Sequence, residues 1–133
     1  VVAPAMGGLL VGYEIARQLN KENIFCERVN GEFQFRRGFS LDGSDKVLIV
    51  EDVLTTGKSS LETYDLVKSY GAKIIAETCL IRRDKKIEKL DNVPIIPLFD
   101  LSFPTYHSDN LPDLLKQRPV SKPGSRFIQT NKA

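Results

Sequence analysis

The chain has 133 residues, 41% of them hydrophobic and 27% charged. That is enough for one domain with a packed core and is ordinary for a globular protein. The net charge of +2 gives no general attraction to nucleic acid, and no apolar run approaches the roughly 18 residues of a membrane span. The single histidine, His107, and two distant cysteines, Cys26 and Cys79, are too little material for a zinc site or a His-based triad, so reduced, packed thiols and a cytoplasmic setting are expected.

Residues 1–3 read as the end of a strand. The start lacks both the charged region of a secretory signal and an initiator Met, so an upstream segment is expected. Residues 4–8 form a loop with two glycines. Residues 9–19 are helical by pattern, with Leu9, Tyr13, Ala16 and Leu19 near one face. Residues 24–28 and 33–37 read as strands of a hairpin, because Asn30-Gly31 between alternating runs is a strong turn signal. Asp42-Gly43 centres the next turn. Residues 46–50 read as a buried strand, residues 59–70 as a helix with Leu61, Tyr64, Val67 or Leu66, and Tyr70 inward, and Gly71 as its C-terminal stop. Residues 72–81 form the following strand. The charged stretch 84–92 reads as a surface excursion. Residues 95–101 form a strand that Pro94 and Pro97 suit to an edge. From residue 103 the chain is Pro-rich and irregular, with a short helical piece near residues 112–117. Strands alternating with helices imply right-handed βαβ units and an α/β fold with a mainly parallel sheet.

The richest stretch is KVLIVEDVLTTGKSS, residues 46–60. Four apolar residues run into Glu51 and Asp52, then Val53 and Leu54, then a turn of Thr55, Thr56, Gly57, Lys58 and Ser59. Ligands of open α/β sheets bind in the crevice at such strand ends. Adjacent carboxylates suit vicinal hydroxyls, and amides opening a helix suit a phosphate. A Walker A loop is excluded, because that motif needs glycine where Asp52 stands. The bland alternative for Ser59 is a helix cap, with Glu62 completing a capping box. Ala5, Met6, Gly7 and Gly8 offer a second stretch of backbone that an anion can approach closely. Three basic pairs, Arg36-Arg37, Arg82-Arg83 and Lys85-Lys86, are solvated surface or local anion sites.

EDVLTTGKS resembles the phosphoribosyl pyrophosphate (PRPP) signature of the type I phosphoribosyltransferases. PAMGGLLVGYEIARQL (residues 4–19), FCERVNGEFQFRRGF (25–39) and VSKPGSR (120–126) resemble an orotate phosphoribosyltransferase subgroup of that family, in the same order. The resemblance implies a single phosphoribosyltransferase core over residues 1–133, lacking an upstream helix, a strand and part of a hood. It implies a flanked, mainly parallel sheet with an antiparallel hairpin as a protruding mobile arm. In the PRPP-binding segment, residues 51–59, Glu51 and Asp52 would hold the ribose hydroxyls directly or through Mg²⁺ and water, Val53 and Leu54 would link them to the turn, and residues 55–59 would cradle the 5-phosphate. Ala5 to Gly8 would hold the pyrophosphate, in a loop that often contains a cis peptide and, in many relatives, a lysine that is Met6-Gly7 here. Thr55 and Arg83 would contact orotate. Family spacing points to Arg83, with Arg82, which stands where the family usually has an acid, as the alternative one residue earlier. Arg28, Arg36 and Arg37 of the arm would neutralise the departing pyrophosphate.

The implied reaction joins orotate N1 to C1′ of PRPP, releasing pyrophosphate and giving orotidine 5′-monophosphate in UMP synthesis. It needs Mg²⁺ as cofactor, no enzyme nucleophile, no nucleic acid and no membrane, and its shared active site implies a homodimer. Alternatives are a purine-type phosphoribosyltransferase, a non-catalytic PRPP-sensing regulator that binds nucleic acid, or one half of a bifunctional enzyme with a decarboxylase.

Overall fold

A computed structural model describes residues 1–104 and 106–118. Residues 1–103 form one compact unit and a second begins at Pro104. Along the first unit run β1 (Val2–Pro4), α1 (Gly8–Leu19), β2 (Ile24–Val29), β3 (Glu32–Phe35), β4 (Lys46–Leu54), α2 (Lys58–Ser69), β5 (Lys73–Arg82), β6 (Lys89–Leu90) and β7 (Val93–Asp100). They build a sheet ordered β3-β2-β1-β4-β5-β7-β6. The inner strands are parallel, and β3 and β6 close the two edges antiparallel.

The central strand β4 is buried on both sides, as parallel strands covered by helices are. Val47 and Ile49 share a core cluster with Tyr64 and Val67 of α2, while Val50 lies beside Gly12 of α1. Successive strand residues face opposite ways, so the helices cover opposite faces of the sheet.

Helix α1 turns a different face inward from the one its larger apolar residues suggest. Gly8, Gly12 and Ala16 are its buried positions, whereas Tyr13 and Leu19 are exposed. Stripes of small residues let a helix backbone approach closely, and here a Cβ on Gly12 would stand 2.7 Å from Ala3 Cβ. Gly12→Ala is therefore expected to cost about 2 kcal/mol, because overpacking outweighs the gain in helix propensity. Thermal melting checks this, and an unchanged or raised midpoint would refute it.

Helix α2 also differs in detail. It buries Ser60, Thr63, Tyr64 and Val67, while Leu61 and Tyr70 are partly exposed. The first turn of its inner face lies over an acid of β5, Glu77, which requires hydroxyls there. Tyr70 instead packs edge-on to Phe35, with ring centroids 5.4 Å apart. Gly71, at φ 79°, ends the helix as expected.

The hairpin forms through an Asn30-Gly31 turn with φ 51° and 93°, the mirror-image geometry that favours two-residue hairpins. It does not stand clear of the sheet. β2 pairs along β1 from Val2↔Ile24 to Pro4↔Cys26, so the hairpin is the sheet's edge. Phe33 is buried beneath it.

The excursion 84–92 contains β6, whose Leu90 packs against both core clusters. Asp91 pairs with Lys68 of α2. In the second unit, a 3-10 turn (Ser108–Asn110) precedes α3 (Asp113–Lys116), within the expected helical piece. Tyr106 and the side chain of His107 are exposed. The VSKPGSR motif lies outside the described residues.

Candidate active site

The acidic pair sits inside β4 rather than in the loop that its polarity suggests. The strand continues through Leu54, with Glu51 opposite Cys79, Val53 opposite Ile81 and Leu54 opposite Arg82. Ladder hydrogen bonds to β5 outweigh the low strand propensity of the two acids. Glu51 is 8% exposed. Burial first, then the charges of Asp52 and Glu77, push its carboxyl up to about 8. Asp52 Oδ1 accepts the Val53 amide at 2.8 Å. Leu54 turns its side chain into the core with Cys79 and Ile95, so only its backbone faces the crevice.

The glycine loop meets this pair. The Ala5–Met6 peptide is cis, and Gly7 lies directly against Asp52. A Cβ on Gly7 would overlap Asp52 Oδ2 and stand 2.5 Å from Cγ and 2.6 Å from Oδ1. The 4–8 loop and the 51–59 segment therefore share one crevice. Met6 is 79% exposed at its rim.

Gly57, at φ 76°, is the residue preceding α2 and has no capping side chain, and Thr56 Oγ1 accepts the Lys58 amide at a long 3.4 Å. The helix begins at Lys58, so Ser59 is already inside its first turn, and the expected Ser59–Glu62 capping box does not form. Ser59 gives its carbonyl to Thr63 Oγ1 at 2.9 Å, and Glu62 pairs with Arg28 and, at 3.9 Å, with Lys58. Among the described residues nothing accepts from the Thr56, Gly57 and Ser59 amides. These donors line a pocket of about 60 Å³ bounded by Glu51, Val53, Leu54 and residues 55–60. Uncapped amides at a helix start favour an anion through both their hydrogen bonds and the helix dipole. A Cβ on Gly57 would fall 2.6 Å from a Leu90 methyl, so β6 backs the turn.

Arg82 and Arg83 have different duties. Arg82 forks onto Asp100 at 2.7 and 3.2 Å and reaches the Ile87 carbonyl at 3.0 Å, and this pairing holds the Asp100 carboxyl below its usual range. Arg83 is anchored by its amide to the Leu54 carbonyl at 2.9 Å. Its guanidinium lies 5.4 Å from the Phe103 ring centre, and its buried Nε has no hydrogen-bond partner among the described residues.

The three hairpin arginines contact their own surroundings. Arg28 binds Glu62 and the Gly31 carbonyl and covers Phe33. Arg36 and Arg37 each stand 3.6 Å from Glu27, with more than half of each side chain exposed. Cys26 and Cys79 are buried free thiols pushed up to about 11, chiefly by burial. They are inert toward nucleophilic chemistry.

The sequence model of the phosphoribosyl transferase domain matches residues 1–97. The chain belongs to that family. Among its relatives, the orotate phosphoribosyltransferase of Erythrobacter litoralis is 48% identical over 126 residues, covering 95% of this chain and 65% of its own length. That of Maricaulis maris is 47% identical over 128 residues, covering 96% of this chain and 66% of its own length. The chain thus spans just under two thirds of these relatives. Among solved structures, an orotate phosphoribosyltransferase from Aeropyrum pernix superposes with a TM-score of 0.64 at 22% identity, over 75% of this chain and 59% of the other. The adenine phosphoribosyltransferase of Trypanosoma brucei, in complex with AMP, pyrophosphate and ribose-5-phosphate, gives 0.63 at 22% identity, over 96% of this chain and 63% of the other. Both show the phosphoribosyltransferase-type fold: a mixed, mainly parallel sheet flanked by helices. Among the described residues no helix is long and apolar enough to cross a membrane.

Two features bordering the candidate site are not obvious in the sequence. One is Leu90, buried in a stretch that reads as surface. The other is Glu77, whose signal was available: it is the one acid inside the apolar run of β5.

Proposed function

We propose that the chain is the phosphoribosyl-transferring part of an orotate phosphoribosyltransferase, making orotidine 5′-monophosphate and pyrophosphate from PRPP and orotate in pyrimidine biosynthesis. The observation that supports this best is the meeting of Gly7 with Asp52 beside an uncapped phosphate-sized pocket, with Arg83 at the end of the neighbouring strand. Asp52 and Glu51 take the ribose hydroxyls. The amides and hydroxyls of residues 55–59 take the 5-phosphate. The backbone of Ala5 to Gly8 receives the pyrophosphate, and Thr55 and Arg83 receive orotate, whose planar carboxylate suits a guanidinium fork.

The displacement passes through an oxocarbenium-like ribosyl centre and needs no enzyme nucleophile. Catalysis then consists of holding N1 in line with C1′ and stabilising charge as it grows on the leaving group. Mg²⁺ fits this donor set. Among the described residues no three His, Cys, Asp or Glu side chains converge into a cage, and Mg²⁺ is commonly bound through substrate phosphates with one or two carboxylates. When bound, it supplies charge neutralisation on the diphosphate, with Asp52 and Glu51 as the protein's contribution. In a homodimer, Arg36 and Arg37, the more exposed hairpin cations, would neutralise the departing pyrophosphate, while Arg28 braces α2 through Glu62. A cytoplasmic setting accords with the reduced thiols.

Product formation from PRPP and Mg²⁺ with orotate, adenine, hypoxanthine or guanine tests the assignment. Orotate turnover is expected, and turnover of a purine alone would overturn it in favour of the purine-type reading. Arg83→Ala is expected to raise the orotate KM about tenfold or more while changing the PRPP KM little, in keeping with loss of a charged hydrogen-bonding partner. Arg82→Ala is expected instead to lower stability by about 2 kcal/mol, since it leaves Asp100 and the Ile87 carbonyl without their donor. An orotate-specific defect in Arg82→Ala alone would shift the substrate contact by one residue.

A further inference from the structure

Beneath α2 lies a polar cluster that meets the pocket at Ser60 but has none of the roles assigned above. Glu77, on β5, is 0% exposed. Its Oε1 accepts from Ser60 Oγ at 2.7 Å and its Oε2 from Tyr64 Oη at 2.5 Å. Among the described residues these two hydroxyls are the groups that stabilise its charge, and burial outweighs them and raises its pKa. Ser60 and Tyr64 are themselves 1% and 0% exposed. They stand one turn apart on the face of α2 that covers the sheet.

Stability alone is a weak reason for this arrangement. An apolar side chain of similar volume at this position would pack without the cost of burying a carboxyl and two hydroxyls. What the cluster supplies is direction. Two short hydrogen bonds in a dry interface fix both the rotation of α2 about its axis and its height above β5, which apolar contacts do less well.

The need for such a fix is local. A helix start normally gains order from a side-chain cap worth about 1 kcal/mol; Gly57 supplies none to α2, and the Thr56 hydroxyl reaches only the Lys58 amide, at a long 3.4 Å. A cap would occupy the amides that an anion requires. The Ser60–Glu77 bond instead holds the first turn through the buried face of the helix. Thr63 tightens the same turn by donating to the Ser59 carbonyl.

We propose that Glu77 is a positioning residue for the sugar-phosphate pocket: through Ser60 and Tyr64 it sets the placement of the first two turns of α2, and so of the amides from Thr56 to Ser59. This rests on the phosphoribosyl reading of that pocket. Glu77 touches no substrate and acts only through the helix.

Calorimetric titration with PRPP and Mg²⁺, alongside thermal melting, tests it on the chain and on Ser60→Ala, Glu77→Leu and Glu77→Gln. For folded Ser60→Ala and Glu77→Leu, PRPP Kd is expected to rise about tenfold. Glu77→Gln, which still accepts from one hydroxyl and donates to the other, is expected to stay within about threefold of the unsubstituted chain. A merely architectural role would lower the melting midpoint while leaving PRPP affinity of the folded protein unchanged, and that result would overturn the inference alone. If Glu77→Leu does not fold, Ser60→Ala decides the matter by the same criterion. Absence of PRPP uptake by the unsubstituted chain would overturn the phosphoribosyl reading, and the inference with it.

Discussion

Gly7→Ala is expected to reduce phosphoribosyl transfer about 100-fold, the scale on which a displacement of about 1 Å in a reacting arrangement acts. The added methyl has nowhere to go but the Asp52 carboxylate, 2.5 Å from its Cγ. That side chain is short and already tied to the Val53 amide, so it must abandon its rotamer. The fold has no comparable reason to fail, because Gly7 is exposed and its backbone lies in the ordinary helical region at φ −60°. The effect should therefore appear in kcat/KM for PRPP, followed by pyrophosphate release, with a melting midpoint close to that of the unsubstituted chain. Asp52→Asn is expected to cost a similar amount by removing charge from the same place. The sharper check is a double-mutant cycle. In an Asp52→Ala background the methyl introduced by Gly7→Ala has room, so adding that substitution should cost at most a few-fold. Full additivity would mean that the two residues do not act on one another.

Stability of the ligand-free chain is expected to fall as pH rises from about 5 to above 8, by on the order of 3 kcal/mol. The Glu51 carboxyl titrates near 8 in the folded chain against 4.5 as its ordinary value, with burial as the main cause. Between those limits the folded chain keeps a proton that the unfolded chain has released. The unfolded state then binds fewer protons, so the stability present below the ordinary value is lost progressively through the folded one. Glu77, displaced in the same direction by burial, adds to the slope. The depressed carboxyls, Glu14, Asp42 and Asp100, act below their ordinary values and leave this window untouched. In melting experiments the midpoint at pH 8.5 should lie about 10 °C below that at pH 5.5. Glu51→Gln should remove most of that difference. A flat profile in the unsubstituted chain would contradict the burial of this acid as described.

Much of the fold was legible because its signals are local. Asn30-Gly31 dictates its turn, Gly71 ends its helix, and the apolar run of β4 can only be an interior strand. The turn that leads from β4 into α2 was legible for the same reason. What the sequence concealed depends on partners far along the chain. Tyr13 looks like a core residue of α1 until Gly8 and Gly12 are seen to bring the helix backbone against Ala3 and Val50. Glu51 and Asp52 look like loop residues until β5 offers a ladder that extends β4 past them. Ser59 and Glu62 form a capping box on paper, but Arg28 of the hairpin takes Glu62. The arginine pair could not be resolved by spacing, whereas Asp100, eighteen residues from Arg82, separates the two at once.

Leu90 reaches Gly57 from a stretch whose neighbours are mostly charged and exposed. Tolerance to substitution along that stretch is consequently expected to be uneven. Insertions and deletions near Lys85 and Lys86 would be absorbed at the surface, since long surface loops tolerate changes in length. A lineage that altered the side chain at Leu90, or slid β6 by one residue, would expose that face of the glycine and loosen the turn from behind. The turn at Gly57 thus depends on a residue thirty-three positions downstream, in a segment whose composition gives no hint of it.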